Sequence, residues 1–228
     1  MYKIYKIIIL LFFVFLPLSI NAHVLHYEDL SRIEFEIYRN NKHIGTHIFF
    51  FEKSGKELSV KSEINFKIEK LGIVFYEYHV KGTEIYKDGE LIKFNSKTNQ
   101  NGKKKHVNLT LENNGEYTID GSSYQGKAPV DYLLGTWWNH SIVKAKAQIS
   151  AVSGRIIKQK VTFLGKENIK FGDKSYDTLH FNFSSTDEKL AKGKKLNTDV
   201  WYDAKTLNWV KASFKKKGKW EYKLFSIN

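Results

Sequence analysis

Residues 60–69 read Val-Lys-Ser-Glu-Ile-Asn-Phe-Lys-Ile-Glu, and this stretch decides the fold. Every second position from Val60 to Ile68 is apolar apart from Ser62, and every position between them is polar or charged. Successive side chains of a β-strand point to opposite faces of a sheet. The alternation therefore predicts a strand with one buried face and one solvated face.

The same alternation recurs along most of the chain, at residues 33–38, 74–80 and 179–184. Between such runs lie dipeptides that accept a positive φ, which is the hairpin signal. These are Asp88-Gly89, Asn101-Gly102, Asn114-Gly115 and Asp120-Gly121. The pattern predicts a mainly β protein, a single antiparallel meander of about 11–12 strands. Because so many strands in one open sheet leave long edges, we expect the sheet to curl into a roll or barrel.

One segment departs from the pattern. Residues 128–138 read APVDYLLGTWW and contain Pro129, the only proline after residue 22. Proline suits the first turn of a helix, so we expect one short helix near 129–138 that crosses one end of the sheet. No Pro-, Gly- or Ser-rich linker is visible, which favours a single β-rich domain over residues 23–228.

The first 22 residues have the composition of a secretory signal peptide. Lys3 and Lys6 precede an uncharged apolar run at residues 7–16, and Ala22 offers a small residue at the cleavage point. The run is short for a membrane span, which needs about 20 apolar residues. We therefore predict export to the periplasm with cleavage after Ala22; the alternative is a tether formed by an uncleaved signal.

Charge and cysteine content restrict the possible partners. The net charge is +13, yet arginine supplies only three of the 37 basic residues. Surfaces that bind phosphate usually favour arginine. The excess of lysine over arginine therefore indicates either a general bias of composition or attraction to an anionic surface. We expect no nucleic-acid partner. The lysine runs at residues 103–105 and 215–217 would supply such a surface. The chain has no cysteine, which excludes disulfides and thiolate metal sites.

No catalytic, metal or cofactor motif of useful specificity occurs. His43 and His47 have the spacing of a zinc helix, but on a strand four residues separate side chains by about 13 Å. No serine lies in a G-x-S-x-G motif. We therefore expect no catalytic activity, no metal and no cofactor. A glycan or ester hydrolase is the less favoured alternative, since it would need two facing carboxylates or a serine beside a histidine.

Aromatic residues make up 15% of the chain and supply the candidate contacts. Phe66, Tyr76 and Tyr78 lie in the apolar phase of their strands, and Trp137 and Trp138 are adjacent. All five could fill the core, or could line a partly hollow interior that binds an apolar or amphipathic envelope molecule, such as a lipid. The second interpretation is our lead hypothesis. An envelope structural or protein-interaction module is its alternative, and the oligomeric state stays open.

The C-terminal pattern carries a family resemblance. Residues 199–203 (DVWYD) and 207–214 (LNWVKASF), preceded by the element at 137–139 (WWN), resemble the bacterial exported domain-of-unknown-function 6134 family. That family is itself similar to the domain-of-unknown-function 3108 group. The resemblance implies an exported β-roll or barrel and no known activity. We assign Trp201, Tyr202, Asp203 and Trp209 to a structural hairpin. Trp201 would pack on Trp209, and Asp203 would accept backbone N–H bonds in the turn.

Overall fold

The computed structural model describes residue 27 and residues 29–228, apart from the side chain of Lys192. The predicted signal peptide and its cleavage point lie outside these residues. Across the described residues, helices of the length and apolarity that a bilayer crossing demands are absent.

In the part of the chain that the structure describes, fifteen strands form one sheet. They are β1 (Arg32–Arg39), β2 (Lys42–Ser54), β3 (Glu57–Lys70), β4 (Ile73–Lys87), β5 (Glu90–Gln100), β6 (Lys103–Leu111), β7 (Glu116–Gly121), β8 (Tyr124–Pro129), β9 (Leu133–Leu134), β10 (Ala147–Ile149), β11 (Ile156–Phe171), β12 (Lys174–Ser185), β13 (Asn197–Asp203), β14 (Trp209–Lys215) and β15 (Lys219–Ile227). The spatial order is β8-β7-β6-β5-β4-β3-β2-β1-β15-β14-β13-β12-β11-β10-β9.

The sheet is an antiparallel meander, as the alternation predicts. The first and last of these strands, β1 and β15, pair at the centre with Ile37 opposite Tyr222, and within the described residues only β9 and β10 pair in parallel. The count of 15 strands exceeds the predicted 11–12. The two-residue β9 and the three-residue β10 are too short to produce a periodic signal.

The two ends of the sheet meet without pairing as strands. The turn between β7 and β8 lies against the turn after β10, where the Ser123 amide donates to the Ser153 carbonyl at 2.8 Å. Beside it the Ser96 hydroxyl donates to the Ala151 carbonyl at 2.5 Å. The sheet is therefore curled into a roll whose seam is held by turn contacts, and it is not a closed barrel.

The predicted helix near 129–138 is wrong in position and type. Pro129 ends the edge strand β8, where no partner requires the missing N–H. A five-residue 3-10 helix follows later, at His140–Lys144, and the Asn139 side chain caps it by accepting from the Ser141 amide at 3.0 Å. The segment between β8 and β10 joins the two edges of the sheet and carries the buried side chains of Leu134, Trp138 and Ile142 into the core.

Aromatic side chains fill most of the interior in three groups. Tyr27, Phe51 and Tyr86 make edge-to-face contacts with Trp138 at 5.1–5.7 Å. Phe35 lies 3.9 Å from Trp209, and His47, Phe49, Trp137 and Tyr222 surround that ring. Phe66 packs with Tyr76, Tyr78 and Trp220. Core filling is therefore the main role of the aromatic residues.

Candidate functional site

A cavity of about 200 Å³ remains inside the roll, between strands β2–β5 and the connection that joins the sheet edges. Its apolar lining comes from Ile64, Val80, Phe94, Trp137, Ala151, Val152, Ile157 and Leu196. His47, Ser62, Ser96, Thr136, Gln148 and Ser150 add polar atoms, and Gly82 and Gly135 complete the lining. An apolar cavity of about 150 Å³ in another protein binds benzene, so this space is large enough for a ring or a short chain.

Two nitrogens in the lining are buried without a hydrogen-bond partner, namely Nδ1 of His47 and Nε1 of Trp137. Burial lowers the pKa of His47 to about 3, so its imidazole is neutral at physiological pH. A buried unpartnered nitrogen costs about 1–3 kcal/mol, and a ligand oxygen could recover that cost. The cavity therefore combines apolar walls with a few unsatisfied polar groups, which is the usual composition of a small-molecule site.

Trp137 has an unusual backbone conformation. Its φ is +65°, in the left-handed region that bulky residues rarely adopt. Such a conformation persists only where the surroundings fix it, and here the Tyr202 hydroxyl donates to the Trp137 carbonyl at 3.0 Å. The indole is half-buried and lies edge-on to Trp209 at 5.7 Å. Of the five predicted contact residues, Trp137 is the one that lines the cavity.

The adjacent Trp138 points elsewhere. It is fully buried in the core, and its Nε1 donates to Glu84 Oε1 at 2.9 Å. The structure therefore separates the two tryptophans, with one at the cavity and one in the packed core. Trp138 is not available to a ligand or a partner.

Phe66, Tyr76 and Tyr78 form an aromatic cluster that is not part of the cavity lining. The Phe66 ring lies 4.9 Å from Tyr78 and 6.1 Å from Tyr76, in stacked orientations. The Tyr76 hydroxyl accepts from Gln100 Nε2 at 2.8 Å. None of the three lines the 200 Å³ cavity, so the predicted contact set is brought together only in part.

The closing hairpin differs from the expectation in one respect. Asp203 Oδ1 accepts bonds from the Lys205 amide, the Thr206 amide and the Thr206 hydroxyl at 2.7–3.0 Å. Trp209 pairs with Tyr202 and lies in the core, whereas Trp201 packs on His180 at 4.1 Å. The expected contact between Trp201 and Trp209 is wrong, because a bulge at Trp201/Tyr202 leaves the two indoles on opposite faces of the sheet.

A serine lies beside a histidine on the outer surface, but in a turn. Ser122 Oγ is 3.2 Å from His106 Nδ1, and His106 Nε2 is 3.6 Å from Asp120 Oδ1. The same hydroxyl also accepts from the His106 amide at 2.7 Å and is 3.2 Å from the His106 carbonyl. These bonds cap the end of a strand on an exposed surface. In the described part of the chain, no three His, Asp or Glu side chains gather as metal ligands would.

The comparisons with known proteins identify the family and support the fold. The sequence profile of the domain of unknown function DUF6134 matches residues 35–224. The chain belongs to the DUF6134 family. No protein with a curated description matches it.

Two solved structures resemble the fold of this DUF6134 chain to different degrees. It resembles the β-barrel-like protein of domain of unknown function DUF1849 from Brucella abortus with a TM-score of 0.60 and 9% identity. That match covers 87% of this chain and 97% of the other. A protein with a YmcC-like fold from Bacteroides fragilis matches at 10% identity and a TM-score of 0.36, over 86% and 94% of the two chains. With a TM-score above 0.5, only the first match bears on the fold, and at these identities neither match assigns an activity.

The sequence analysis did not identify His47 as a residue that lines the cavity of this DUF6134 protein. The signal was present, since His47 shares the inward phase of β2 with Phe49 and Phe51. Gln148, Thr136 and Ser150 were not foreseeable, because Gln148 lies on the three-residue strand β10 and the other two lie on irregular segments, where no periodic pattern describes the path of the chain.

Proposed function

We propose that this DUF6134 protein is exported to the periplasm and binds a small amphipathic molecule without catalysing a reaction. The observation that carries the proposal is the interior cavity of about 200 Å³, with apolar walls and two unpartnered nitrogens. The apolar part of the ligand would replace empty space against Ile64, Val80 and Phe94. A polar group of the ligand would accept from Trp137 Nε1 or bond to His47.

The position of the cavity also indicates the charge of the ligand. Its lining includes Val152 and Leu196, which are half-buried residues on connections at one end of the roll. The turn between β5 and β6 (Asn101-Gly102) and the turn between β14 and β15 (residues 216–218) lie at this same end, and exposed lysines surround both. An anionic head group leaving the cavity would therefore meet positive charge.

A binding measurement tests the proposal with a matched pair of variants. Octanoate and octanol share a chain but differ in charge, and calorimetric titration measures their affinity for the purified protein. Ser62 faces the cavity from β3, whereas Ser59 lies in the opposite phase of the same strand. We expect Ser62→Leu to fill the cavity and weaken binding at least tenfold, and Ser59→Leu to leave it unchanged.

The outcomes separate the alternatives. Tighter binding of octanoate than octanol, lost at high salt, would support an anionic head group. If the wild-type protein bound neither compound, the ligand hypothesis would fail, and a role in protein interaction would become the favoured alternative. The mass of the protein recovered from the periplasm tests export separately, because cleavage after Ala22 leaves His23 as the first residue.

A further inference from the structure

The end of the β3–β4 hairpin, at the lysine-rich end of the roll, does not pair with either neighbouring strand. Pairing of β3 with β2 ends at Phe66, and pairing of β4 with β5 begins at Tyr78. Between them, residues 67–77 pair only with each other as strands. At about 3.4 Å per residue, the tip lies roughly 15–20 Å beyond the last residues of the hairpin that pair with β2 and β5.

The tip of this hairpin is apolar and exposed. Leu71 is 91% exposed, Ile73 61%, Val74 48% and Phe75 60%. These are four of the most exposed large apolar side chains in the described residues, and they lie within five consecutive positions. A cluster of this kind marks a contact surface, whereas single exposed apolar residues do not.

The backbone conformation of the β3–β4 turn is unfavourable for leucine, the residue at its first central position. Leu71 has a φ of +53° and Gly72 a φ of +75°, which is the conformation that Asn-Gly or Asp-Gly normally supplies. The chain uses Asp88-Gly89 and Asn101-Gly102 in its comparable turns. A leucine at the tip thus costs stability in the isolated fold, which favours a role outside it.

Positive charge surrounds the base of the hairpin. Exposed basic residues of the neighbouring turns and strand ends are Lys42, Lys67, Lys70, Lys103, Lys104, Lys215, Lys216, Lys217 and Lys219. The pKa of Lys105 is lowered first by burial and then by repulsion from Lys216 and Lys103. The Trp220 ring, which follows the β14–β15 turn, lies 5.3 Å from Phe66 on β3, so this turn lies close to the β3–β4 hairpin. Glu69 and Glu77 are the acidic residues of this end of the hairpin, and Glu69 pairs with Lys67 at 3.1 Å.

We propose that this protein docks on an anionic bilayer surface by inserting Leu71, Ile73, Val74 and Phe75 at the lipid interface while the surrounding lysines contact the head groups. Apolar insertion and basic attraction act together in interfacial binding, and each lysine near an anionic membrane adds to it. The proposal does not rest on the cavity, which lies behind the hairpin in the interior of the roll.

Exposed apolar side chains surrounded by lysines favour a lipid surface over a second copy of the chain or another protein. A second copy of the chain would bring its own lysines against these lysines, which opposes association through the tip. An apolar groove on another protein would explain the four apolar side chains but not the basic residues around them. A bilayer with anionic head groups satisfies both features.

Vesicle co-sedimentation tests the docking with the full chain after signal removal. The vesicles are phosphatidylglycerol mixed with phosphatidylethanolamine, and pure phosphatidylcholine vesicles are the neutral comparison. We expect binding to the anionic vesicles that falls steeply with added salt. A Leu71→Asn/Phe75→Ser variant should bind at least tenfold more weakly while remaining as stable as the wild type, because asparagine suits the turn.

A second variant controls for loss of exposed apolar area. Phe163 and Leu164 are each 52% exposed on β11, so Phe163→Ser/Leu164→Ser removes similar side chains elsewhere. It should bind vesicles as the wild type does. Absence of binding to anionic vesicles, or equal binding by the tip variant, overturns the proposal. A tip variant that instead dissociates a dimer, seen by light scattering, overturns it in favour of a second copy.

Discussion

Trp138 Nε1 donates a hydrogen bond to Glu84 Oε1 at 2.9 Å in a part of the core where neither residue has exposed surface. The Tyr86 hydroxyl donates to the other carboxylate oxygen at 2.5 Å. Burial outweighs these bonds and raises the pKa of Glu84 to about 7. The connection between the sheet edges is therefore fastened to β4 by a carboxyl group that gains or loses its proton near neutral pH.

This carboxyl group gives the fold a defined pH dependence. Between its ordinary pKa of 4.5 and the folded value of about 7, the folded state binds more protons than the unfolded state. The free energy of unfolding consequently falls as pH rises through this interval, by up to about 3 kcal/mol. We expect the wild type to lose stability relative to Glu84→Gln between pH 5 and pH 7.5, as measured by urea denaturation of both proteins at the two pH values.

The matched control for Glu84 lies on the same strand. Glu77 is exposed and in the opposite phase of β4, so Glu77→Gln should retain the wild-type slope. Equal slopes for the wild type and Glu84→Gln would contradict the assignment of the titration to Glu84.

His47 should give a slope of the opposite sign. Burial lowers its pKa from 6.5 to about 3, so between these values the unfolded state binds more protons. The free energy of unfolding then falls as pH drops below 6.5, by about 1.4 kcal/mol per pH unit. His47→Gln should flatten this acid limb, whereas His79→Gln, an exposed position on β4, should not. An acid limb that persists in His47→Gln would show that other groups cause it.

The strands were predictable because the polarity of each strand residue indicates whether its side chain lies on the buried or the solvated face of the sheet. Phe35, Ile64 and Phe66 are apolar where the sheet turns inward, and the Asp-Gly and Asn-Gly pairs mark turns that only such residues adopt at low cost. These signals are local, so they survive without any knowledge of the tertiary structure.

The candidate site was less predictable because it depends on contacts between distant segments. The cavity exists where β3 and β4 face residues 135–137 and 148–152, and no local pattern states which side chains of that connection point inward. Trp137 and Trp138 illustrate the limit. The two residues are adjacent on an irregular segment, yet their side chains lie in different surroundings. Trp137 lines the cavity and Trp138 bonds to Glu84, and the sequence alone does not indicate which does which.

The turn after β13 offers a stability test. Asp203 Oδ1 accepts three hydrogen bonds from residues 205 and 206, and these fix the turn between β13 and β14. Asp203→Ala removes the acceptor and should lower the free energy of unfolding by about 1–2 kcal/mol. Asp203→Asn keeps an oxygen at this position and should lose less. Chemical denaturation of the three proteins at one pH measures the difference, and equal losses in both variants would show that charge, not acceptance, matters.

The seam of the roll can be tested at Gly121, where the last residue of β7 touches the turn after β10. A Cβ at this position would lie 2.7 Å from the Ser153 carbonyl oxygen and 2.8 Å from Gly154 Cα, which are backbone atoms that cannot rotate away. Gly121→Ala must therefore open the seam, at a cost of about 1–3 kcal/mol. Gly193→Ala is the control, because nothing lies within 4 Å of its Cβ position.

Hydrogen exchange distinguishes seam opening from general destabilisation. The Ser123 amide donates across the seam to Ser153, so it should exchange much faster in Gly121→Ala than in Gly193→Ala. Amides of the central β1–β15 pair should change only as far as global stability falls, because they lie at the opposite side of the strand order. Uniform acceleration of both sets would mean that the roll does not open locally. Protection of Ser123 equal to that of the control would mean that the turn contacts do not hold the seam.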